Sequence, residues 1–119
     1  MHRNLSLAST TLVLLSLTIA VLAFGRKPQG EQAKVVTVEI RDYKFVPETV
    51  TVHQGDTVEW KNDDKVVHTA TAEGQDQKPA FDSGSIATGA TWRYVAGTKG
   101  KFNYRCTVHP YMKGELTVQ

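Results

Sequence analysis

Residues 101–112 read KFNYRCTVHPYM. The first half has the pattern of a β-strand, because the apolar Phe102, Tyr104 and Cys106 alternate with polar residues and side chains of a strand alternate between two faces. We therefore expect a strand over 101–106 whose Cys106 thiol points into the core with the aromatic rings. The second half is a short loop that carries His109 and Met112 close behind the thiol.

The loop and one upstream histidine together form a candidate metal site. Cys106, His109, Met112 and His68 offer a thiolate, two imidazoles and a thioether. Two His and one Cys in a trigonal plane, with a weak axial Met, are the ligands of blue-copper electron-transfer sites. A lone Cys or Met is usually a packing residue. The combination of all four residues predicts a type 1 copper site.

The rest of the chain from residue 35 onward consists of short apolar segments separated by turn signals such as Gly55-Asp56. Short strands at nearly regular spacing are typical of an all-β sandwich or barrel. Residues 73–79 lack a strand pattern and are expected to be a surface excursion. The predicted strands and extended segments cover 35–40, 49–52, 57–61, 66–71, 91–95, 101–106 and 115–119.

The N-terminal part is expected to lie outside the fold. Residues 1–23 have a short basic start, an apolar run and small residues before a cleavage point, which indicate a signal peptide. The alternative is an uncleaved membrane anchor, since 5–24 is just long enough to span a bilayer. Residues 24–34 are predicted to be a flexible linker and 35–119 the folded domain. Either alternative places that domain in the periplasm or elsewhere outside the cytoplasm.

Composition excludes several classes of function. The 119 residues carry a formal net charge of +2, which gives no clustered basic face for nucleic acid. Phosphate-binding loops, paired catalytic carboxylates and a nucleophile elbow are missing from the sequence, so we do not expect an enzyme. The single Cys excludes an intrachain disulfide and leaves metal binding, intermolecular pairing or a reactive thiol. His53 lies at a turn and is expected to be a surface residue.

Residues 35–119 resemble the cupredoxins, and especially the plastocyanin, pseudoazurin and amicyanin group. The resemblance rests on 55–62 (GDTVEWKN), 68–71 (HTAT), 81–84 (FDSG) and 104–114 (YRCTVHPYMKG). It implies a Greek-key β-sandwich of about eight strands with one type 1 copper ion at one end. By this resemblance His68 would coordinate from the upstream strand, and Cys106, His109 and Met112 from the loop.

The resemblance also implies a function. Members of the group carry one electron at a time as copper cycles between Cu(I) and Cu(II), here between extracytoplasmic partners such as a cytochrome, a dehydrogenase or an oxidase. The partner would dock near His109, Pro110 and Tyr111, and the protein would act as a monomer. Exposed Lys65, Arg105 and Lys113 would steer an acidic partner or simply form a solvated rim. Copper delivery or buffering is the alternative function.

One position departs from the family pattern. Many relatives have Asn after the first His ligand, where its side chain ties the two ligand loops together. Here the residue is Thr69, whose hydroxyl is expected to make one bond with less reach than an amide. Hydrogen bonds around metal ligands orient them and tune the metal, so the sequence leaves the rigidity and reduction potential of the site open.

Overall fold

The computed structural model describes residues 30–74 and 78–119. The predicted signal or anchor segment 1–23 and most of the linker 24–34 lie outside these residues and stay predictions. Within the two described ranges no helix is long and apolar enough to cross a membrane.

Eight strands make up the described part of the chain. Their bounds are β1 (Val35–Arg41), β2 (Lys44–Val46), β3 (Thr49–Val52), β4 (Thr57–Asn62), β5 (Thr71–Ala72), β6 (Thr91–Val95), β7 (Gly100–Arg105) and β8 (Lys113–Val118).

The strands form two four-stranded sheets, in the orders β2-β1-β4-β6 and β3-β8-β7-β5. Two pairs, β1 with β4 and β3 with β8, run parallel, and the other pairs are antiparallel. The inner faces of the sheets bury a single apolar cluster. The prediction of an all-β sandwich is confirmed.

Aromatic side chains form the centre of this core. In β4 the fully buried Val58 and Trp60 alternate with more exposed neighbours, as the period-two pattern predicted. The Trp60 ring lies 5.4 Å, centroid to centroid, from each of Phe81, Trp92 and Tyr104. Tyr104 and Cys106 are both buried, so the predicted inward direction of the thiol is confirmed.

One strand was missed. The segment predicted as extended over 66–71 pairs through an isolated bridge from His68 to Ile86 and leads into the two-residue β5. Strand β2 was not predicted at all. It follows a tight turn at Asp42 and Tyr43, which have φ angles of 52° and 57°. Such left-handed turns usually have Gly at the second of these positions, where this chain has Tyr43.

Candidate metal centre

Three of the four predicted ligand residues meet at one end of the sandwich. Cys106 Sγ lies 3.7 Å from His68 Nδ1 and 3.8 Å from His109 Nδ1, and the two imidazole nitrogens are 3.2 Å apart. Within the described residues, His68, Cys106 and His109 are the group of metal-binding side chains whose donor atoms lie close enough together to hold one ion. His68 and Cys106 are fully buried, while His109 is half-buried.

The fourth predicted residue is held in place by the loop itself. The Cys106 N–H donates to Met112 O at 3.1 Å, and the Met112 N–H donates to His109 O at 2.9 Å. These bonds close the segment 106–112 into a compact turn directly after β7. The Met112 side chain is 2% exposed and belongs to the same buried cluster as Cys106.

The donor triangle has the right size for a transition-metal ion. Bond lengths of about 2.3 Å to sulfur and about 2.0–2.1 Å to imidazole nitrogen, as found at zinc, place three donors around an ion in one plane with S···N separations of about 3.8 Å and an N···N separation of about 3.5 Å. The observed S···N separations of 3.7 and 3.8 Å agree with this geometry, and the N···N separation of 3.2 Å is slightly shorter. A thiolate and a thioether beside two imidazoles select copper over zinc, whose sites rarely include a thioether.

The backbone after His68 makes a direct contact with the thiol. Thr69 N–H points at Cys106 Sγ at an N···S distance of 3.3 Å. Hydrogen bonds to the Cys sulfur are one of the features that tune the reduction potential of a copper site. Thr69 therefore acts on the sulfur through its backbone and on the loop through its side chain.

The Thr69 hydroxyl also ties the two ligand loops together. Its oxygen accepts the Thr107 N–H at 2.8 Å and lies 3.1 Å from the hydroxyls of Thr107 and Thr71. The Thr71 hydroxyl donates to the Asp82 carboxylate at 3.0 Å. Because each hydroxyl has one proton and a carboxylate only accepts, the bonds run in one direction, from Thr107 to Thr69 to Thr71 to Asp82.

The Thr69 hydroxyl makes the bond expected from the sequence and two more. It was expected to have less reach than the amide found in relatives, yet it bridges to the Cys106 loop. The Thr71 hydroxyl accepts the proton of the Thr69 hydroxyl. The Thr69 oxygen is therefore free to accept the Thr107 N–H. The positions of these threonines in the sequence gave no sign of this cooperation, since it depends on the approach of segments 38 residues apart.

Replacing Thr69 with Val tests this connection. Val has a similar shape but no acceptor, so the partly buried Thr107 N–H loses its partner, and we expect a loss of about 1–3 kcal/mol in the free energy of unfolding. Urea denaturation of the copper-free protein measures it. Thr51→Val, at an exposed position of β3, is the control and should change stability by no more than about 0.5 kcal/mol. Equal effects of the two changes would argue against the connection.

The far side of the His68 ring contacts a carboxylate. His68 Nε2 lies 2.8 Å from Asp64 Oδ2. Burial alone would raise the pKa of Asp64, but hydrogen bonds from the Tyr43 N–H, the His68 ring and the Asp42 N–H outweigh it and hold that pKa below its usual value. Asp64 was not predicted as a site residue. Ligand histidines commonly donate their second N–H to a carboxylate, but in this non-helical segment its spacing to His68 does not distinguish Asp64 from the neighbouring Asp63.

Two tyrosine rings lie beside the half-buried His109 at the surface. The Tyr43 and Tyr111 rings lie 5.1 and 6.1 Å from the His109 ring, centroid to centroid. Val67 and Val108 are also exposed. We call Tyr43, Val67, Val108, Pro110 and Tyr111 the apolar patch. His53, predicted to be a surface residue, lies outside the donor group and is exposed beside Asp56.

Comparison with known proteins gives consistent matches. A family model described as a cupredoxin-like domain matches residues 12–118. The chain is 30% identical over 88 residues to amicyanin from Paracoccus versutus, which covers 73% of this chain and 67% of that protein.

Solved structures share the fold. A purple cupredoxin from Nitrosopumilus maritimus matches with a TM-score of 0.63 and 26% identity, over 71% of this chain and 99% of that one. A copper-containing nitrite reductase from Thermus scotoductus SA-01 matches with a TM-score of 0.64 and 30% identity. That match covers 71% of this chain but only 22% of the reductase.

Proposed function

The chain belongs to the cupredoxin-like family, and from this premise we propose that it is a one-electron carrier with a single type 1 copper ion. The family and the arrangement of His68, Cys106, His109 and Met112 identify copper as the cofactor. We propose all four side chains as its ligands. The observation that carries the proposal is the triangle of one sulfur and two imidazole nitrogens, closed by a loop that buries Met112.

Each residue has a distinct role in this proposal. The bound copper ion would carry the electron by changing between Cu(I) and Cu(II). Cys106 would provide the thiolate, the strongest and most covalent of the four donors, and His68 and His109 would each provide an imidazole nitrogen. Met112 lies in the same buried cluster and would provide a weak thioether donor that tunes the reduction potential. His109 alone among the three planar donors reaches the surface, so we propose its ring edge as the path for the electron.

The protein's own structure favours fast electron exchange. Donor atoms that are already 3.2–3.8 Å apart need little movement to surround an ion. The loop hydrogen bonds and the Thr69 bridge keep them there whichever oxidation state is present. Binding sites that are organised in advance avoid a cost of reorganisation at the moment of reaction.

The apolar patch is the proposed docking surface for redox partners. Tyr111 is 68% exposed, which is unusual for a large aromatic side chain and typical of a contact site. Encounters between redox proteins bury little surface, so a patch around one imidazole is large enough. Lys65, Arg105 and Lys113 are exposed, and we propose that they favour a partner with an acidic surface. We also propose that the domain acts as a monomer outside the cytoplasm.

Copper delivery or buffering is the competing proposal, and catalysis is a more distant one. The nitrite reductase neighbour is a much longer protein of which this chain spans 22%. The described residues contain one group with the spacing of a metal site, and that group is the donor triangle. A buried thiolate favours retention of copper over its release, which supports the carrier.

Repeated redox cycling of the copper-loaded protein tests the proposal. The protein is loaded with one equivalent of Cu(II), and its visible spectrum is recorded through several rounds of reduction and oxidation with an excess of a Cu(I) chelator present. We expect an intense blue band that disappears and returns with each cycle, together with a reversible one-electron voltammogram. Capture of the copper by the chelator in the first reduction would favour delivery, and a colourless Cu(II) protein would contradict both the carrier and the type 1 site.

A further inference from the structure

Asp64 makes three hydrogen bonds that join two separate parts of the metal centre. Oδ1 accepts the Asp42 N–H at 2.7 Å, while Oδ2 accepts the Tyr43 N–H at 3.0 Å and the His68 Nε2–H at 2.8 Å. Because a carboxylate only accepts hydrogen bonds, the proton of the neutral His68 ring is on Nε2. Nδ1, which faces Cys106 and His109, then presents its lone pair.

The turn that Asp64 holds is an unfavourable one for its sequence. Asp42 and Tyr43 both have left-handed backbones, with φ angles of 52° and 57°. Asp tolerates this conformation, but a bulky residue such as Tyr adopts it rarely. A local conformation of this kind persists only where surrounding contacts determine it, and here the two amides of the turn are bonded to a single carboxylate.

The turn places the Tyr43 ring over both imidazoles. The ring is perpendicular to His68 and to His109, with interplanar angles of 87° and 89° and centroid distances of 5.6 and 5.1 Å. Edge-to-face contacts of this kind are attractive. Tyr43 is 42% exposed, so its side chain contacts both histidines and is also accessible to solvent.

Asp64 is itself firmly anchored. Its N–H donates to the Asn62 side-chain oxygen at 3.0 Å. Asn62 is fully buried, and its amide nitrogen donates to Val66 O and Ile86 O at 2.8 and 2.9 Å. The carboxylate therefore has a fixed position relative to the sandwich, and both the imidazole and the turn are positioned from it.

We propose that Asp64 is a positioning residue that orients His68 toward the copper and at the same time holds Tyr43 as a cover over the two histidine ligands. This proposal rests on the proposed copper site. Its first consequence is electronic, because a carboxylate bonded to a ligand imidazole makes the ligand more basic and favours Cu(II) over Cu(I). Its second consequence is steric, because the Tyr43 ring limits the access of small molecules to the ligands.

The Asp64→Asn variant tests the electronic part in the copper-loaded protein. Asn keeps one acceptor oxygen but replaces the other with an amino group, which accepts no hydrogen bond. The N–H groups of Asp42, Tyr43 and His68 are then left with a single acceptor atom. Loss of such a partner costs about 10–100-fold in metal affinity. If the affinity for Cu(II) falls tenfold and the affinity for Cu(I) is unchanged, the reduction potential rises by about 59 mV. Asp63→Asn is the matched control, since Asp63 carries the same charge in the same loop but pairs with Lys61.

Azide binding tests the cover. Added azide should leave the visible spectrum of the wild-type Cu(II) protein and of Tyr43→Phe unchanged, because both keep the ring. It should change the spectrum of Tyr43→Ala and of Asp64→Asn. An unchanged spectrum in Tyr43→Ala would show that the ring does not cover the site.

Amide hydrogen exchange in the copper-free protein tests the positioning itself. We expect at least one of the Asp42 and Tyr43 amides to exchange at least about tenfold faster in Asp64→Asn than in the wild type, because the two amides bond to different oxygens of Asp64 and Asn keeps only one of them. Equal exchange rates, or equal shifts in potential for Asp64→Asn and Asp63→Asn, would overturn the proposal. A wild-type protein without a blue band would instead refute the copper function, and the exchange measurement would still decide whether Asp64 holds the turn.

Discussion

Replacing Cys106 with Ser is expected to abolish the blue absorption of the Cu(II) protein completely. Cys106 is the only Cys in the chain, and the intense band of a type 1 site arises from its thiolate bond to copper. Ser has nearly the same size, so the fully buried position keeps its packing while the soft donor is lost. Hard oxygen donors bind copper poorly in a site of this kind, so we also expect a large loss of copper affinity, measured by competition with a chelator.

A second substitution in the same loop provides the control. Met112→Leu preserves the volume of the buried side chain and leaves the three planar donors in place. The band should persist with altered energy, and the reduction potential should rise because the thioether proposed as the weak fourth donor is lost. A blue band that survives Cys106→Ser, or one that vanishes only in Met112→Leu, would contradict the assignment of the thiolate.

Of the proposed substitutions, Gly114→Ala is expected to cause the largest loss in the free energy of unfolding. Gly114 pairs with Tyr104 across β7 and β8, and an added Cβ would lie only 2.2 Å from Tyr104 Cζ. The Tyr104 ring cannot easily move, because it packs against the rings of Phe45 and Trp60 at 4.8 and 5.4 Å. Overpacking of this kind costs about 1–3 kcal/mol and occasionally more, and thermal unfolding of the copper-free protein measures it.

Gly97→Ala is the matched control for that experiment. An added Cβ at Gly97 would meet only Val95 O at 4.0 Å, so this substitution should leave the melting temperature nearly unchanged. Gly114→Ala should also perturb the visible spectrum of the copper protein, because Tyr104 and Cys106 share one face of the same strand end. Equal melting temperatures for the two variants would show that the contact between Gly114 and Tyr104 is not tight.

Much of the fold could be predicted from residue patterns alone. Alternation in 57–61 and 101–106 located two central strands and their buried faces, since a one-residue shift would expose Trp60 and Tyr104. The all-β sandwich, the family and the copper cofactor are confirmed. Ligation by the four named side chains, the leader and the docking surface stay predictions.

The contacts around the ligands could not be predicted in the same way. Asp64, Tyr43 and the threonines at 71 and 107 reach the site through turns and segment crossings, which have no periodic signal in the sequence. The turn at Asp42 and Tyr43 has a left-handed backbone without Gly at its second position, so local preferences argued against it. Its cause is tertiary, because the carboxylate that stabilises it comes from a loop 22 residues away.

The most direct test of the central claim is copper K-edge X-ray absorption spectroscopy of the protein loaded with one equivalent of copper. The donor triangle predicts an inner shell of one sulfur and two imidazole nitrogens in both oxidation states, with little change in bond lengths between them. An inner shell that contains only nitrogen and oxygen, or one that gains and loses ligands as the oxidation state changes, would contradict a type 1 site formed by Cys106, His68 and His109.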